Sequence, residues 1–210
     1  MPRILLIRHG QTEWNRRGIF RGRVDIPLSP TGIRQMEALA ARVAAERPAR
    51  VYTSPLQRAL TSARILCPPD AHPPRVVEDL TDMSYGEWEG KPEETVRAQY
   101  PDLYARWLAE PHRVRPPGGE SLAEVQQRVA AALREIARSL PAATVAVVAH
   151  RVVNKLLLCA ALGIGAEGFW RIRQDTGCLN VLEGEVDRLA VVLLNDTCHL
   201  QGLEGDAADF

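Results

Sequence analysis

The sequence has little that would tie the chain to a metal, a membrane or a polyanion. Of its 210 residues only four are cysteine, and no two of them form a CxxC pair, so the spacing gives no metal-ligand pattern. The longest apolar stretch, 152–164, is interrupted by Asn154 and Lys155 and is too short to span a bilayer. The formal net charge of +0 gives no general attraction to nucleic acid, so any bound anion must be held by a local cluster of cations.

The same absences favour a cytoplasmic protein with reduced thiols. Met1-Pro2-Arg3 leads straight into an apolar run, with no signal peptide before it. With 46% hydrophobic and 25% charged residues, the composition is ordinary for a globular protein. We therefore expect a single domain over residues 1–201, followed by a small acidic tail, 202–210, that is flexible.

Short apolar runs alternate with helical patterns along the chain. Strand signals fall at 4–7, 51–53, 144–149, 178–182 and 189–194, and helical patterns follow Ser29, Ser54, Ser121 and His150. The S-x-x-Q and S-x-x-E patterns at Ser54 and Ser121 predict capping boxes. Such alternation predicts an α/β fold, a three-layer α/β/α sandwich around a mostly parallel sheet. The short link between the last two runs predicts a hairpin, and therefore an antiparallel edge strand.

One segment, from about 79 to 117, departs from this alternation. It is rich in tryptophan and tyrosine, contains two short helical patterns and ends in Pro116-Pro117-Gly118-Gly119. We interpret it as a small helical cap inserted over the carboxyl ends of the strands, where open α/β sheets bind ligands. Its aromatic residues either form the core of the cap or line a substrate pocket.

Two of the predicted strands run directly into a histidine. The first run is followed by Arg8-His9-Gly10, and the run at 144–149 is followed by His150. Because parallel strands end at the same edge of a sheet, both imidazoles are expected there. One such histidine is explained by a hydrogen bond to the backbone, but two of them, with an arginine beside the first, indicate a site for phosphate chemistry.

Arg58 is the third unusual position. It lies in the first turn of a predicted helix, where a positive charge opposes the helix dipole at a cost of about 0.3–1 kcal/mol. Either the side chain points outward into solvent, or it shares an anion with the exposed N–H groups of the helix. The position alone does not choose between the two.

A histidine that attacks a phosphoryl group also needs a proton donor for the leaving oxygen, and a carboxyl group is the usual one. Four carboxylates cluster between residues 79 and 90: Asp79, Asp82, Glu87 and Glu89. At least three of them are expected to be solvated loop residues.

Together, these motifs resemble the histidine phosphatase superfamily, which has the phosphoglycerate mutase-like fold. The resemblance runs in order over about residues 3–196 and rests on Arg8-His9-Gly10 with Thr12 and Asn15, Val24-Asp25-Ile26-Pro27-Leu28-Ser29, Ser54-Pro55-x-x-Arg58-Ala59, Gly86-x-Trp88-Glu89-Gly90 and Ala149-His150. The Arg-His-Gly motif alone would be weak, but the ordered set is specific.

The resemblance implies that His9 is a nucleophile that takes the phosphoryl group as a phosphohistidine. Arg8, Arg58 and His150 would then bind the phosphoryl oxygens and stabilise the charge of the in-line transition state. It implies no metal and no other cofactor, and none of the five histidines forms a ligand motif with another.

Further positions match substrate contacts of the family. Asn15 matches a phosphate-pocket position, and Arg21-Gly22 matches a loop that contacts substrate. Arg151 departs from the glycine that many members have after the second histidine, and it places a bulky cation near the mouth of the pocket.

The proton donor is the second departure from the family pattern. The family commonly has a glutamate four residues before the glycine of the G-x-W-E-G segment, and here that residue is Asp82. We expect Asp82 to be the donor, with Glu87 as the fallback and a candidate substrate contact.

The resemblance leaves three activities. Family mutases carry a longer cap with paired arginines, whereas this cap offers only Arg106, Arg113 and Arg115, which favours hydrolysis of a small phosphomonoester over a cofactor-dependent phosphoglycerate mutase. The third alternative is a non-catalytic phosphate-ligand-binding domain, which would need the cations but not a nucleophile and an acid. The physiological substrate stays open. So does the oligomeric state, although the edge strand near Val191 could pair in a homodimer.

Overall fold

The computed structural model describes residues 1–68, 71–185 and 188–203. Its strands and helices follow one another as β1 (Arg3–Arg8), α1 (Glu13–Arg16), α2 (Pro30–Ala45), β2 (Arg50–Thr53), α3 (Gln57–Leu66), β3 (Arg75–Val76), α4 (Glu93–Gln99), α5 (Pro101–Ala109), α6 (Leu122–Ser139), β4 (Thr144–Ala149), α7 (Arg151–Leu162), β5 (Leu179–Glu185) and β6 (Arg188–Asp196). Most of the tail that was predicted to be flexible, 204–210, lies outside the described residues.

The described strands form one six-stranded sheet in the order β3-β2-β4-β1-β5-β6. The first four strands of that order are parallel, and β5 runs antiparallel to both β1 and β6. This confirms a mostly parallel sheet with an antiparallel hairpin at one edge. The strand that runs in the opposite direction is β5, one position inside the edge. The two-residue strand β3 was not predicted, because both of its residues are exposed and give no apolar run.

The core has two parts, one on each face of the sheet. Successive residues of β1 alternate between them: Ile4 and Leu6 belong to the cluster beneath α6, α7 and the cap, and Leu5 and Ile7 to the cluster beneath α2 and α3. A strand with side chains buried on both faces reads as an unbroken apolar run, which is why β1 is visible in the sequence. The three predicted layers are confirmed.

Side-chain caps set the starts of two long helices but not of α3. Ser29 caps α2, and Ser121 forms the predicted capping box at the start of α6. The capping box predicted at Ser54 is wrong, because α3 begins later, with Leu56 as its N-cap and no side-chain hydrogen bond there. The Ser54 hydroxyl instead contacts the His150 ring, which gives it a place in the site described below.

Most aromatic residues of the 79–117 segment are packing residues, and they belong to the same core cluster as Ile4 and Leu6 of β1. Trp88, Tyr104 and Trp107 are buried, and the ring centroids of Trp88 and Trp107 lie 6.2 Å apart in an edge-to-face arrangement. Tyr85 is the exception, since it also lines a cleft next to Asp82. Within the described residues, no helix is long and apolar enough to cross a membrane.

Two glycines bring the loop after β1 into backbone contact with the start of α2. A Cβ atom on Gly10 would lie 2.3 Å from the carbonyl oxygen of Gly32, and one on Gly32 would lie 2.1 Å from the carbonyl oxygen of Gln11. Because both neighbours are backbone atoms, neither can move aside as a flexible side chain would. The contact fixes the loop that carries the first histidine against a long helix.

We expect Gly32→Ala to destabilise the protein by about 1–3 kcal/mol, the usual cost of overpacking. The direction of the change in the free energy of unfolding is informative. In the absence of a clash, replacing glycine by alanine within a helix would stabilise the protein by about 1 kcal/mol. Thermal denaturation measures the change. Ala41→Ser, which adds an atom on the exposed face of the same helix, serves as the control. A Gly32→Ala protein as stable as the unsubstituted one would show that the two backbones separate at little cost.

Candidate active site

The sheet places both strand-end histidines next to each other. β1 and β4 are neighbours, with Arg8 in register with Ala149, and the His9 N–H donates to the Ala149 carbonyl at 3.0 Å. The ring centroids of His9 and His150 are 5.2 Å apart, and both side chains are fully buried. The predicted meeting of the two imidazoles at one edge of the sheet is therefore seen in the structure.

His9 is held with one nitrogen bonded and the other aimed into the site. Its Nδ1 lies 2.7 Å from the carbonyl oxygen of Gly10. A carbonyl only accepts, so Nδ1 carries the proton and Nε2 keeps its lone pair in the neutral ring. Nε2 is buried and has no hydrogen-bond partner among the described residues. Burial lowers the pKa of His9 well below 6.5, and the charges of Arg58, His150 and Arg8 lower it further.

Arg8 is fixed by a network that the sequence did not reveal. Its Nη1 donates to the Gln174 carbonyl at 2.6 Å. The Gln174 amide is in turn paired with the Asn180 amide through two hydrogen bonds of 2.7 and 2.9 Å. Neither residue belongs to a recognisable motif, and Gln174 reaches Arg8, 166 residues away in the chain, because β5 lies beside β1.

Arg58 points into the site rather than into solvent, which answers the question raised by its place in the first turn of α3. The side chain is fully buried, and it donates to the carbonyls of Val24 at 2.9 Å and Gly22 at 2.7 Å. Its Nη2 also lies 3.2 Å from the Asp82 carboxylate. Burial lowers the pKa of Arg58 to about 10, although the Asp82 charge opposes the shift.

His150 is oriented by a serine on one side and faces a carboxylate on the other. Its Nε2 lies 2.8 Å from the Ser54 hydroxyl, and its Nδ1 lies 3.7 Å from the Asp82 carboxylate. Burial and then the charges of Arg58 and Arg21 lower the pKa of His150 well below 6.5. Sequence reasoning placed Ser54 in a helix cap and so missed its contact with the second histidine.

Of the candidate carboxylates, Asp82 is the one that the structure brings to the histidines. It is 4% exposed, and one of its oxygens is within reach of both Arg58 and His150. Glu87 lies on the exposed surface and accepts a hydrogen bond from the Tyr100 hydroxyl at 2.5 Å. The structure therefore does not bring Glu87 to the other predicted site residues, either as the fallback donor or as a substrate contact.

Glu89, the other carboxylate of the G-x-W-E-G segment, has a structural place. It accepts hydrogen bonds from the backbone N–H groups of Arg23 and Tyr85, at 3.1 and 2.9 Å. It also packs against Gly22, which has a φ of +51°, and a Cβ atom on Gly22 would lie only 2.2 Å from the Glu89 carboxylate. A side chain at position 22 would meet both a strained backbone and a clash, so this loop requires glycine.

Three of the remaining predicted contacts, Arg21, Gly22 and Arg151, line a cleft beside Asp82. A small cavity of about 10 Å³ is lined in part by Arg21, Gly22, Asp82 and Arg151. The guanidinium of Arg151, at the first position of α7, lies 5.7 Å from the centre of the Trp170 ring. Asn15 is also buried, but its side-chain oxygen accepts from Thr12 as part of the capping box of α1.

The site thus combines a neutral imidazole with a free lone pair, buried guanidinium groups and one nearby carboxyl group. Such a set can bind a phosphoryl group, attack it and protonate the leaving oxygen. Among the described residues, no group of histidine, cysteine, aspartate and glutamate is placed to hold a metal ion.

The chain matches the family model of the histidine phosphatase superfamily (branch 1) over residues 4–197. It is 35% identical over 202 residues to phosphoserine phosphatase 1 of Hydrogenobacter thermophilus, covering 95% of each chain. It is 28% identical over 181 residues to the adenosylcobalamin/alpha-ribazole phosphatase of Escherichia coli, covering 86% of this chain and 89% of that one.

Solved structures agree with these relatives. Bacillus stearothermophilus YhfR superposes with a TM-score of 0.91 at 29% identity, over 96% of this chain and all (100%) of that one. A phosphoserine phosphatase of Entamoeba histolytica superposes with a TM-score of 0.85 at 25% identity, over 95% of this chain and 100% of the other.

Proposed function

This chain is a phosphatase that belongs to the histidine phosphatase superfamily, and we propose that it hydrolyses a small-molecule phosphomonoester through a phosphohistidine on His9. The observation that carries the proposal is the His9 Nε2 atom, which is buried, unprotonated and without a hydrogen-bond partner among the described residues. A buried nitrogen lone pair next to cationic side chains suits attack on phosphorus and is otherwise costly to leave unpaired.

In the first step, Nε2 of His9 forms a bond to phosphorus while the bond from phosphorus to the ester oxygen breaks. Arg8, Arg58 and His150 bind the three peripheral oxygens and stabilise their charge. Asp82 donates a proton to the departing oxygen, so that an alcohol leaves.

In the second step, water attacks the phosphohistidine. Asp82, now a carboxylate, takes a proton from that water, and the bond between His9 and phosphorus breaks to release inorganic phosphate. Asn15 and the Arg21-Gly22 loop contribute to the phosphate pocket, and Arg151 contacts the leaving group at the mouth of the cleft. The positive charges required by this mechanism come from side chains, so we propose no metal and no other cofactor.

The positions of the cap arginines support hydrolysis over the mutase alternative. Arg113 and Arg115 have 63% and 55% exposed side chains and pair with Glu110 and Glu124 on the surface. Neither is in the cleft beside Asp82, where a mutase would need to grip a second anionic group. A non-catalytic binder would have no use for a nucleophile and a proton donor that are both buried at the same site.

The activity is tested by phosphate release in the presence of EDTA. We expect turnover of 4-nitrophenyl phosphate and, in a panel ranked by kcat/KM, of O-phosphoserine, 3-phosphoglycerate, sugar phosphates or α-ribazole phosphate. The relatives named above make O-phosphoserine and α-ribazole phosphate the leading candidates. Interconversion of monophosphoglycerates primed with the bisphosphate, without net phosphate release, would instead identify a mutase.

Acid should destabilise the protein, because both site histidines have pKa values well below 6.5 in the folded state. Between those values and about 6.5, the unfolded chain binds protons at His9 and His150 that the folded chain does not. The contribution of these two neutral histidines to the free energy of unfolding is therefore fully present above about pH 6.5. It is lost as the pH falls towards their pKa values in the folded state. Melting temperatures between pH 8 and pH 5 measure the trend. His150→Asn should flatten it, whereas the exposed control His72→Asn should not.

We also propose a cytoplasmic location and no nucleic-acid or membrane partner, in keeping with the zero net charge and the free thiols of all four cysteines. A homodimer through β6 is part of the same proposal, because this strand lies at the edge of the sheet formed by the described residues and exposes Val192 and Leu194. Light scattering on the purified protein decides the oligomeric state. A monomer at all concentrations would rule the dimer out.

A further inference from the structure

Arg128, on α6, uses its whole guanidinium to hold the segment that carries Asp82. Its Nη1 donates to the carbonyls of Asp79 at 2.7 Å and Thr81 at 2.6 Å, and its Nη2 donates to the carbonyl of Asp82 at 3.1 Å. Nε and Nη2 also donate to the two carboxylate oxygens of Glu120, both at 3.0 Å. An arginine has five N–H donors, so all of them are engaged.

Glu120, the ion-pair partner of Arg128, holds the backbone on the other side of Asp82. Its carboxylate accepts from the Ser84 N–H at 2.9 Å and pairs with Arg23 at 3.1 Å. Burial would raise the pKa of Glu120, but the hydrogen bonds from Arg128 and Ser84 lower it overall. The backbone on both sides of Asp82 is thereby tied to a salt bridge whose side chains are 17% and 19% exposed.

Arg128 belongs to a helix, α6, that is itself packed into the core. The other face of α6 contributes Val125, Val129, Leu133 and Ile136 to the core against the sheet. Since β4, the strand that carries His150, belongs to the same sheet, α6 fixes Arg128 relative to that histidine. Asp82 lies in a loop between a short 3₁₀ turn at Glu78–Leu80 and another at Gly86–Trp88. The hydrogen bonds of a helix or a strand therefore do not fix the position of Asp82.

We propose that Arg128 is a positioning residue for the proton donor: it holds the backbone of 79–82 so that the Asp82 carboxyl group faces the leaving oxygen. This inference rests on the proposed function. Arg128 makes no contact with substrate in this proposal, because all five of its N–H donors bond to the loop and to Glu120. Its role requires the fork of five donors and not the positive charge alone, so lysine is a poor replacement.

The test compares two leaving groups, using kcat/KM because this ratio reports the steps up to departure of the alcohol. An alkyl phosphate such as O-phosphoserine needs a proton on its leaving oxygen, whereas 4-nitrophenolate leaves without one. We expect Arg128→Lys, which keeps the charge felt by His150, to lower kcat/KM for the alkyl phosphate about 10- to 100-fold more than for 4-nitrophenyl phosphate. Arg138→Gln, at an exposed position on the same helix, is the matched control.

A double variant separates positioning from general stability. If Arg128 acts through Asp82, adding Arg128→Lys to Asp82→Asn lowers kcat/KM for the alkyl phosphate by less than about twofold beyond the loss that Asp82→Asn causes alone. If Arg128→Lys fails to fold, Glu120→Gln takes its place and should show a smaller loss in the same direction.

Equal losses on both substrates, or additive losses in the double variant, would overturn the positioning role. The comparison also distinguishes this inference from the function on which it rests. If Asp82→Asn depends on the leaving group and Arg128→Lys does not, only the role of Arg128 is wrong. If Asp82→Asn shows no such dependence while the unsubstituted protein still releases phosphate, Asp82 is not the donor and the role of Arg128 is wrong with it, but hydrolysis through His9 stands. If the unsubstituted protein releases no phosphate from either substrate, the proposed function itself is wrong.

Discussion

His9→Ala abolishes phosphomonoester hydrolysis, with an expected loss of about 10⁴- to 10⁶-fold in kcat, the range seen when a nucleophile that acts as part of a unit is removed. Every step of the proposed reaction passes through a bond between His9 Nε2 and phosphorus. The remaining arginines can still bind phosphate, so binding should survive when turnover does not. His72→Ala, at an exposed histidine outside the site, should keep full activity.

Rapid quenching under alkaline conditions provides the direct measurement for His9. Wild-type protein mixed with a ³²P-labelled phosphomonoester should trap an acid-labile, base-stable phosphoprotein, and His9→Ala should trap none. Turnover in His9→Ala near the wild-type rate, or a label on another residue, would rule out His9 as the nucleophile. Thermal denaturation of the variant checks that the loss does not come from unfolding.

The second large effect is expected at Asp82. Asp82→Ala and Asp82→Asn remove the proton donor, and general acid catalysis contributes about 10²- to 10⁴-fold. The loss should appear in kcat/KM for O-phosphoserine and be much smaller for 4-nitrophenyl phosphate, because nitrophenolate is stable without a proton. Asparagine keeps the size of the side chain, so it tests the proton and not the packing.

The neighbouring carboxylates serve as controls for Asp82. Glu87→Ala should be close to wild type on both substrates, because Glu87 is exposed and bonds to Tyr100. Glu89→Ala should lower both activities alike, since Glu89 anchors the Gly22 loop through backbone N–H groups. A loss at Glu87 as large as at Asp82 would contradict the assignment.

The sequence predicted those parts of the site that lie at the ends of regular elements. His9 and His150 follow unbroken apolar strands, and Arg58 stands out because its charge opposes the helix in which it lies. Those signals are local and can be seen in a single sequence, although for Arg58 they left two orientations open and only the family resemblance gave it a role. The same holds for the layers, since β1 and β4 are buried on both faces.

The parts that escaped prediction depend on contacts between distant segments. Ser54 looks like a helix cap until β4 places His150 beside it, 96 residues away in the chain. Gln174 and Arg128 are ordinary polar residues in sequence. Only the structure shows that the Gln174 backbone carbonyl accepts from Arg8 and that Arg128 donates to the carbonyl of Asp79. Hydrogen bonds between a side chain and the backbone of a distant segment leave no periodicity in the sequence.

The position of β1 in the sheet has a consequence for biosynthesis. Of the six strands β1 is made first, yet its two neighbours, β4 and β5, come from residues 144–185. The emerging strand therefore waits, with both edges unpaired and both faces apolar, until most of the chain has left the ribosome. Its pairings are among the most distant in sequence, which slows folding and exposes the nascent chain to aggregation. Because the first histidine extends from this strand, the site cannot assemble before β4 and β5 have been synthesised.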